Sequence, residues 1–288
     1  MTGCRRVGVI GLGRMGAPIA GHLAAAGHEV LGLDPDPVAG ADLPVTVRRV
    51  TEDRELAGCE VVLVVAGGTA VARILLVDGQ LRPSLRDRDV LVCSTVDPEE
   101  MRRLHEAAVR DGGRLLDAPL CRGDHGARRG DLLALVGGEP AVLARCADVL
   151  SAFCSDVVHV GGPGAGQVAK LVNNMLLWST IASVVEGLRL AEALGVQRGP
   201  LVEGLCRSSA DSWVLRTWER PRELPWADED MRLVLDAASR AGADAPVSDV
   251  VQRVIGAVRS SGVLGEGGLG SAGWALPAHP VGEEAPGG

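Results

Sequence analysis

Six residues near the start of the chain, Gly11-Leu12-Gly13-Arg14-Met15-Gly16, restrict its fold more than any other feature. The spacing G-x-G-x-x-G carries little weight alone. Here it follows a β-branched apolar run, Val7 to Ile10, and opens a helical pattern over Ala17 to Ala26. In that setting Gly11 allows a tight turn, Gly13 lets a pyrophosphate approach the backbone, and Gly16 lets helix and strand pack. The helix N-terminus adds unpaired N–H groups and positive potential. Asp34 ends the next apolar run, where a carboxylate accepts hydrogen bonds from a ribose and repels a 2′-phosphate. The turn Gly11 to Gly16 with Asp34 is therefore expected to bind NAD in preference to NADP.

The alternation continues beyond that unit. Val30 to Leu33, Val61 to Val65 and Val90 to Cys93 read as buried parallel strands. Ala70 to Leu76 and Pro98 to Arg110 read as helices, the second capped by Asp97 with proline in its first turn. Strand–helix–strand repetition implies an α/β fold, a Rossmann-type doubly wound sheet with right-handed crossovers. Leu115-Leu116, Leu132 to Val136 and Val157 to Val160 extend that sheet. The pattern changes at Gly161-Gly162-Pro163-Gly164. From Gln167 to Leu194 apolar residues recur at three and four, predicting one helix of about 42 Å. Shorter helical patterns follow near Leu201–Arg207, Asp230–Arg240 and Val247–Val258. We expect a Rossmann domain over 1–162, an all-α C-terminal domain over 163–262 begun by the long helix, and a Gly/Pro-rich tail over 263–288.

Composition narrows the function classes. Hydrophobic residues make up 47% of the chain, enough for a full core. A net charge of −8 without an arginine-rich block argues against nucleic acid as a partner. No uninterrupted apolar run reaches the roughly 18–20 residues of a membrane span. Cys4-Arg5-Arg6 leads into a strand without a signal-like apolar stretch. Seven scattered cysteines with no Cys-x-x-Cys pair read as reduced thiols, so we expect a cytoplasmic protein with neither disulfides nor a metal. Among the histidines, His125 is expected to face solvent and His159 to be structural.

The basic residues number 29, yet Lys170 is the only lysine, and Asn173 and Asn174 are the only asparagines. Such usage fits a GC-rich genome, which makes the exceptions informative. Residues 170 and 174 share one helix face. An arginine stays protonated near neutral pH, whereas a lysine in a buried setting can exchange a proton. Lys170 is thus a candidate acid/base, and the Asn174 amide a candidate partner for a substrate hydroxyl or carboxylate.

Four motifs together resemble the β-hydroxyacid dehydrogenase family. Gly11 to Gly16 with Ala17-Pro18 resembles its N-terminal signature, and Ser94-Thr95-Val96 its nicotinamide-bordering segment. Asp117-Ala118-Pro119-Leu120 with Gly123, Gly126, Ala127 and Gly130 resembles its substrate loop, and Gly164-x-Gly166, Lys170 and Asn173-Asn174 its catalytic helix. The resemblance runs from about residue 5 to about 260. It implies that Leu12, Arg14, Met15, Ala66 and Thr95 join the glycines at the cofactor. It implies that Lys170 is the general acid/base, that Asn174 orients the substrate, and that Cys121, Arg122 and Gly123 receive a small anionic acid. It further implies an active site between two domains and a homodimer or higher homo-oligomer.

This chain departs from the family at the substrate. Cys121-Arg122-Gly123 stands where the family has Ser-Gly-Gly, so a weaker donor and a fixed charge enter the loop. Glu229-Asp230 stands where a Lys-Asp pair is usual, and Trp226 is the available replacement for an aromatic that precedes it. These changes point to an unusual acid of specialised metabolism, with phosphonate or sulfonate groups among those an arginine fork would suit. Alternatives are an oxidative decarboxylase, an imine reductase, which Lys170 argues against, and a non-catalytic NAD-binding protein.

Overall fold

A computed structural model describes residues 3–67, 87–219 and 226–260, the side chains of 258–260 excepted. The chain divides into two compact units at Lys170/Leu171.

The first unit is built on one sheet. Its strands are β1 (Arg6–Ile10), β2 (Glu29–Leu33), β3 (Val47–Val50), β4 (Val61–Val64), β5 (Asp89–Val92), β6 (Arg114–Asp117), β7 (Leu120–Cys121), β8 (Leu132–Gly137) and β9 (Cys154–Gly161). The order β3-β2-β1-β4-β5-β6 is parallel throughout. That is the order of a dinucleotide-binding sheet, with its reversal beside β1. β8 then runs antiparallel to β6 and β7, and β9 parallel to β8.

Each expected strand is found within a few residues. β3 was not expected: its sequence Val-Arg-Arg-Val lacks a continuous apolar run because it lies at the sheet edge. The two-residue β7 is too short to leave a period.

The apolar runs of β4 and β5 are continuous because both faces of the sheet are covered. Val61 and Leu63 pack with Ile19 and Leu23 of α1 (Gly16–Ala25). Val62, Val64, Val90 and Val92 pack with Met101 and Leu104 of α2 (Pro98–Arg110). As expected, Asp97 caps α2, accepting from the N–H groups of Glu99 and Glu100 at 3.0 and 3.1 Å. The expected substrate loop contains a short helix, α3 (Gly123–Arg129), and α4 (Pro140–Ser151) covers the sheet through Cys146 and Val149. The helix expected over Ala70 to Leu76 lies outside the described residues, as does the tail over 263–288.

In the second unit, α5 (Ala165–Ala193) continues past the division and is followed by α6 (Arg198–Leu205), α7 (Trp213–Arg216), α8 (Ala227–Ala241) and α9 (Pro246–Ser260). Trp178, Ile181 and Val185 of α5 form a core with Val214, Met231, Val251 and Ile255. By length and mean hydropathy α5 is apolar enough to cross a membrane, although polar residues interrupt it. The core helix of a globular unit passes the same test, and the packing of Trp178 and Ile181 is of that kind.

A buried carboxylate ties the first unit at the amino ends of its strands. Asp89, fully buried at the start of β5, accepts from Arg114 Nε at 2.5 Å and pairs with Arg145 at 3.0 Å and Arg5 at 3.7 Å. Asp89→Ala is expected to lower stability by about 3 kcal/mol, the low end for a broken buried pair because Arg145 reaches solvent. Urea unfolding measures it; a loss under about 1 kcal/mol, the scale of an exposed pair, would contradict the assignment.

Candidate active site

The glycine turn has the geometry its spacing implied. Gly11 is left-handed at φ +95°. A Cβ on Gly16 would lie 1.8 Å from the Gly11 carbonyl oxygen, so only glycine lets α1 start this close to β1. A Cβ on Gly13 would meet nothing within 4 Å, which leaves its backbone open to a diphosphate. The Asp34 carboxylate accepts from Leu12 N at 2.7 Å and from Asp36 N at 2.9 Å. It therefore holds the turn to the end of β2 while keeping further lone pairs for ribose hydroxyls. Leu12 is buried and Met15 half-buried against the core. Ala66 follows β4 beside Gly11, and Thr95 sits between β5 and α2. These residues fit a dinucleotide. Arg49, on the unforeseen β3, directs its guanidinium to the carbonyls of Ala39, Asp34 and Asp36.

The start of α5 is fixed by two buried side chains, Asp117 and Gln167. Asp117, buried at the end of β6, accepts from the backbone N–H of Gly164 and of Gln167, each at 2.9 Å. A side chain from a neighbouring strand thus caps this helix. Burial pushes the Asp117 carboxyl up, while the N–H groups of Gly164, Gln167 and Gly166 pull it down. A Cβ on Gly166 would lie 2.4 Å from the Leu135 carbonyl oxygen, so the helix enters with its backbone against β8. Gln167 is fully buried; its Oε1 accepts from Val96 N and its Nε2 donates to Ser94 O, both at 2.9 Å. One side chain therefore ties α5 to the backbone on both sides of Thr95. Its position three residues before Lys170 was the available signal, since i and i+3 share a helix face.

Lys170 lies one turn further on, half-buried, and its Nζ donates to Leu120 O at 2.7 Å. That bond sets the amine against β7, directly before Cys121-Arg122-Gly123. The Cys121 thiol is buried; burial pushes its pKa up, and the charges of Lys170 and Arg122 pull it down. Lys170 and the 121 loop are therefore together in the first unit.

Arg122 takes another course. Its backbone is left-handed at φ +81°, a conformation costing a non-glycine residue about 1–3 kcal/mol. Its guanidinium donates to Asp156 at 2.6 Å and to Ser155 Oγ and Asp131 O at 2.7 Å, and the Asp156 carboxyl is held below the usual range by Arg122.

Asn174, next along the same face of α5, is buried. Its Oδ1 accepts from Asn173 at 3.1 Å, and its Nδ2 has no hydrogen-bond partner. A buried amide N–H left unpaired is costly, so this group is a candidate donor to a ligand. Glu229 and Asp230 lie in the first turn of α8, where acids complement the helix dipole. Asp230 accepts from Trp178 Nε1 at 3.1 Å. Trp226 is 39% exposed at the N-cap of α8.

Two family models span the chain. Residues 6–161 match the NAD-binding domain of 6-phosphogluconate dehydrogenase, and residues 164–267 match the NAD-binding model of NADP-dependent 3-hydroxyisobutyrate dehydrogenase. The chain belongs to the β-hydroxyacid dehydrogenase family. It is 37% identical to 3-hydroxyisobutyrate dehydrogenase of Pseudomonas aeruginosa, over 76% of this chain and 74% of that protein. It is 33% identical to the NAD-dependent L-serine dehydrogenase of the same organism, over 77% and 74%. The solved structure of Mycobacterium tuberculosis 3-hydroxyisobutyrate dehydrogenase with L-serine has a TM-score of 0.79 at 29% identity, covering 88% of this chain and 94% of that one. As a family member the chain is an oxidoreductase that uses a nicotinamide dinucleotide.

The cap on α5 yields a prediction. Asp117→Asn keeps the shape but turns an N–H donor toward the backbone N–H groups that Asp117 now accepts from. A displacement of about 1 Å at a reacting group costs on the order of 100-fold in rate, so, with Lys170 as the acid/base proposed below, kcat should fall on that scale while affinity for the reduced dinucleotide changes little. Steady-state kinetics with NADH fluorescence titration checks this; an unchanged kcat would show that the cap does not set the amine.

Proposed function

We propose that this dehydrogenase interconverts a small 3-hydroxy acid, or a related anionic alcohol, with its carbonyl form, using Lys170 as the general acid/base. The observation that carries the reading is the Lys170 amine beside the Cys121-Arg122-Gly123 loop, anchored on Leu120 O. When bound, the nicotinamide supplies the hydride acceptor. The residues manage the proton and the anion. In oxidation the Lys170 amine takes the proton from the substrate hydroxyl as hydride leaves the carbon that bears it, and a carbonyl forms. In reduction the ammonium returns the proton to the carbonyl oxygen. Asn174 Nδ2 supplies a donor to the substrate, and the backbone N–H groups of the 121–123 loop receive its carboxylate. The loop's own chemistry favours an acid different from 3-hydroxyisobutyrate. Cys121 replaces a hydroxyl with a buried, protonated thiol, and the Arg122 fork can meet a phosphonate or sulfonate only by leaving Asp156.

NAD is the proposed cofactor. The reading is supported by the Asp34 carboxylate, which would repel a 2′-phosphate, and by the nearby Arg49 guanidinium, which is directed to carbonyls. The partners proposed are the substrate and a second copy of the chain.

Lys170→Arg should lower kcat by about 10²–10⁴-fold, the range for loss of a positioned acid/base, while NADH affinity is retained. The assay is a screen of hydroxy, phosphono and sulfo acids read at the absorbance of reduced cofactor. Near-normal turnover in the arginine variant would overturn the proposed mechanism. In the same screen Asp34→Ser should shift the kcat/KM ratio toward NADP, and an unchanged ratio would remove Asp34 from cofactor choice.

A further inference from the structure

The glycine turn and the substrate loop are joined by an ion pair. Arg14, inside the turn, donates from Nε to Asp124 Oδ2 at 2.6 Å, with a second guanidinium nitrogen at 2.5 Å from the same oxygen. Asp124 directly follows the Cys121-Arg122-Gly123 loop in the first turn of α3 and is 91% buried, its relative exposure being 9%. Its other oxygen, Oδ1, is buried without a hydrogen-bond partner. A buried carboxylate with one unsatisfied oxygen depends strongly on its cation.

A second tie lies at the far end of α3. His22 Nε2 of α1 sits 3.1 Å from Ala127 O and 3.3 Å from Arg128 O. The helix that begins at the cofactor turn therefore grips the helix that begins at the substrate loop at both ends.

We propose that Arg14–Asp124 is a positioning pair through which dinucleotide binding orders the 121–123 loop, so that cofactor and anionic substrate bind cooperatively. The inference rests on the reading of that loop as the substrate's receptor. A diphosphate settling on the Gly13 backbone restrains Arg14, and Arg14 restrains Asp124 and the backbone just before it. The pair also neutralises a carboxylate that would otherwise repel an anion at the loop. Coupling of this kind is reciprocal, the substrate tightening the dinucleotide by the same factor.

The test is hydrogen–deuterium exchange with NADH alone as the probe, needing no substrate. In the wild type, NADH should slow exchange at 8–20 and also at 118–132. In Asp124→Asn the protection at 8–20 should remain and the protection at 118–132 should be lost. Arg14→Lys, which keeps the charge, should retain both. Arg14→Ala should raise exchange at 118–132 even without NADH, and Arg14→Ala with Asp124→Asn should bring that baseline back toward the wild type. Wild-type protection at 118–132 in Asp124→Asn would overturn the coupling. So would a wild type protected at 8–20 but not at 118–132. The reading of the loop as receptor fails separately, through unchanged substrate KM on substitution of Cys121 in the turnover screen.

Discussion

The acceptance by Asp117 of two backbone N–H groups, Gly164 just before α5 and Gln167 in its first turn, is the contact on which the candidate site depends. A helix start leaves N–H groups without intrahelical partners, and here they are satisfied by a carboxylate fixed at the end of β6. The sheet thereby sets both the height and the rotation of the first turn of α5. Gly166 permits the approach, Gln167 fastens the opposite side to the backbone around Thr95, and Lys170 emerges one turn later against Leu120 O. The amine's place follows from backbone hydrogen bonding more than from its own packing.

The same logic runs through the nucleotide half. The order β3-β2-β1-β4-β5-β6 sets the first glycine turn beside the point where the chain reverses across the sheet. Asp34 then closes the turn by accepting from Leu12, so the carboxylate proposed to meet the ribose also maintains the glycine loop.

Legibility from sequence followed the physics of each element. β4 and β5 were readable because burial on both faces demands unbroken apolar runs. The second unit was readable because α8 and α9 bury one stripe each. The edge strand β3 was hidden by its Arg48-Arg49 pair, and β7 by having two residues. The glycine turn and Lys170 stood out because each needs a specific residue type. The roles of Asp117 and Gln167 did not, since a cap contributed from another strand and an amide that meets both the Val96 N–H and the Ser94 carbonyl exist only after folding. Arg122 shows the same limit: its residue type suggested an anion fork, but Asp156, distant in sequence, holds it.

Lys170 is half-buried, bonded to Leu120 O, and carries the chain's only ε-amine. Its uniqueness has an experimental meaning apart from mechanism. In most proteins amine-directed reagents report an average over many surface lysines. Here acylation or reductive methylation of an ε-amine addresses a single position, so the native chain already behaves as a singly tagged protein whose label lies at the candidate site. Reactivity of that one group becomes a direct measure of how accessible the site is.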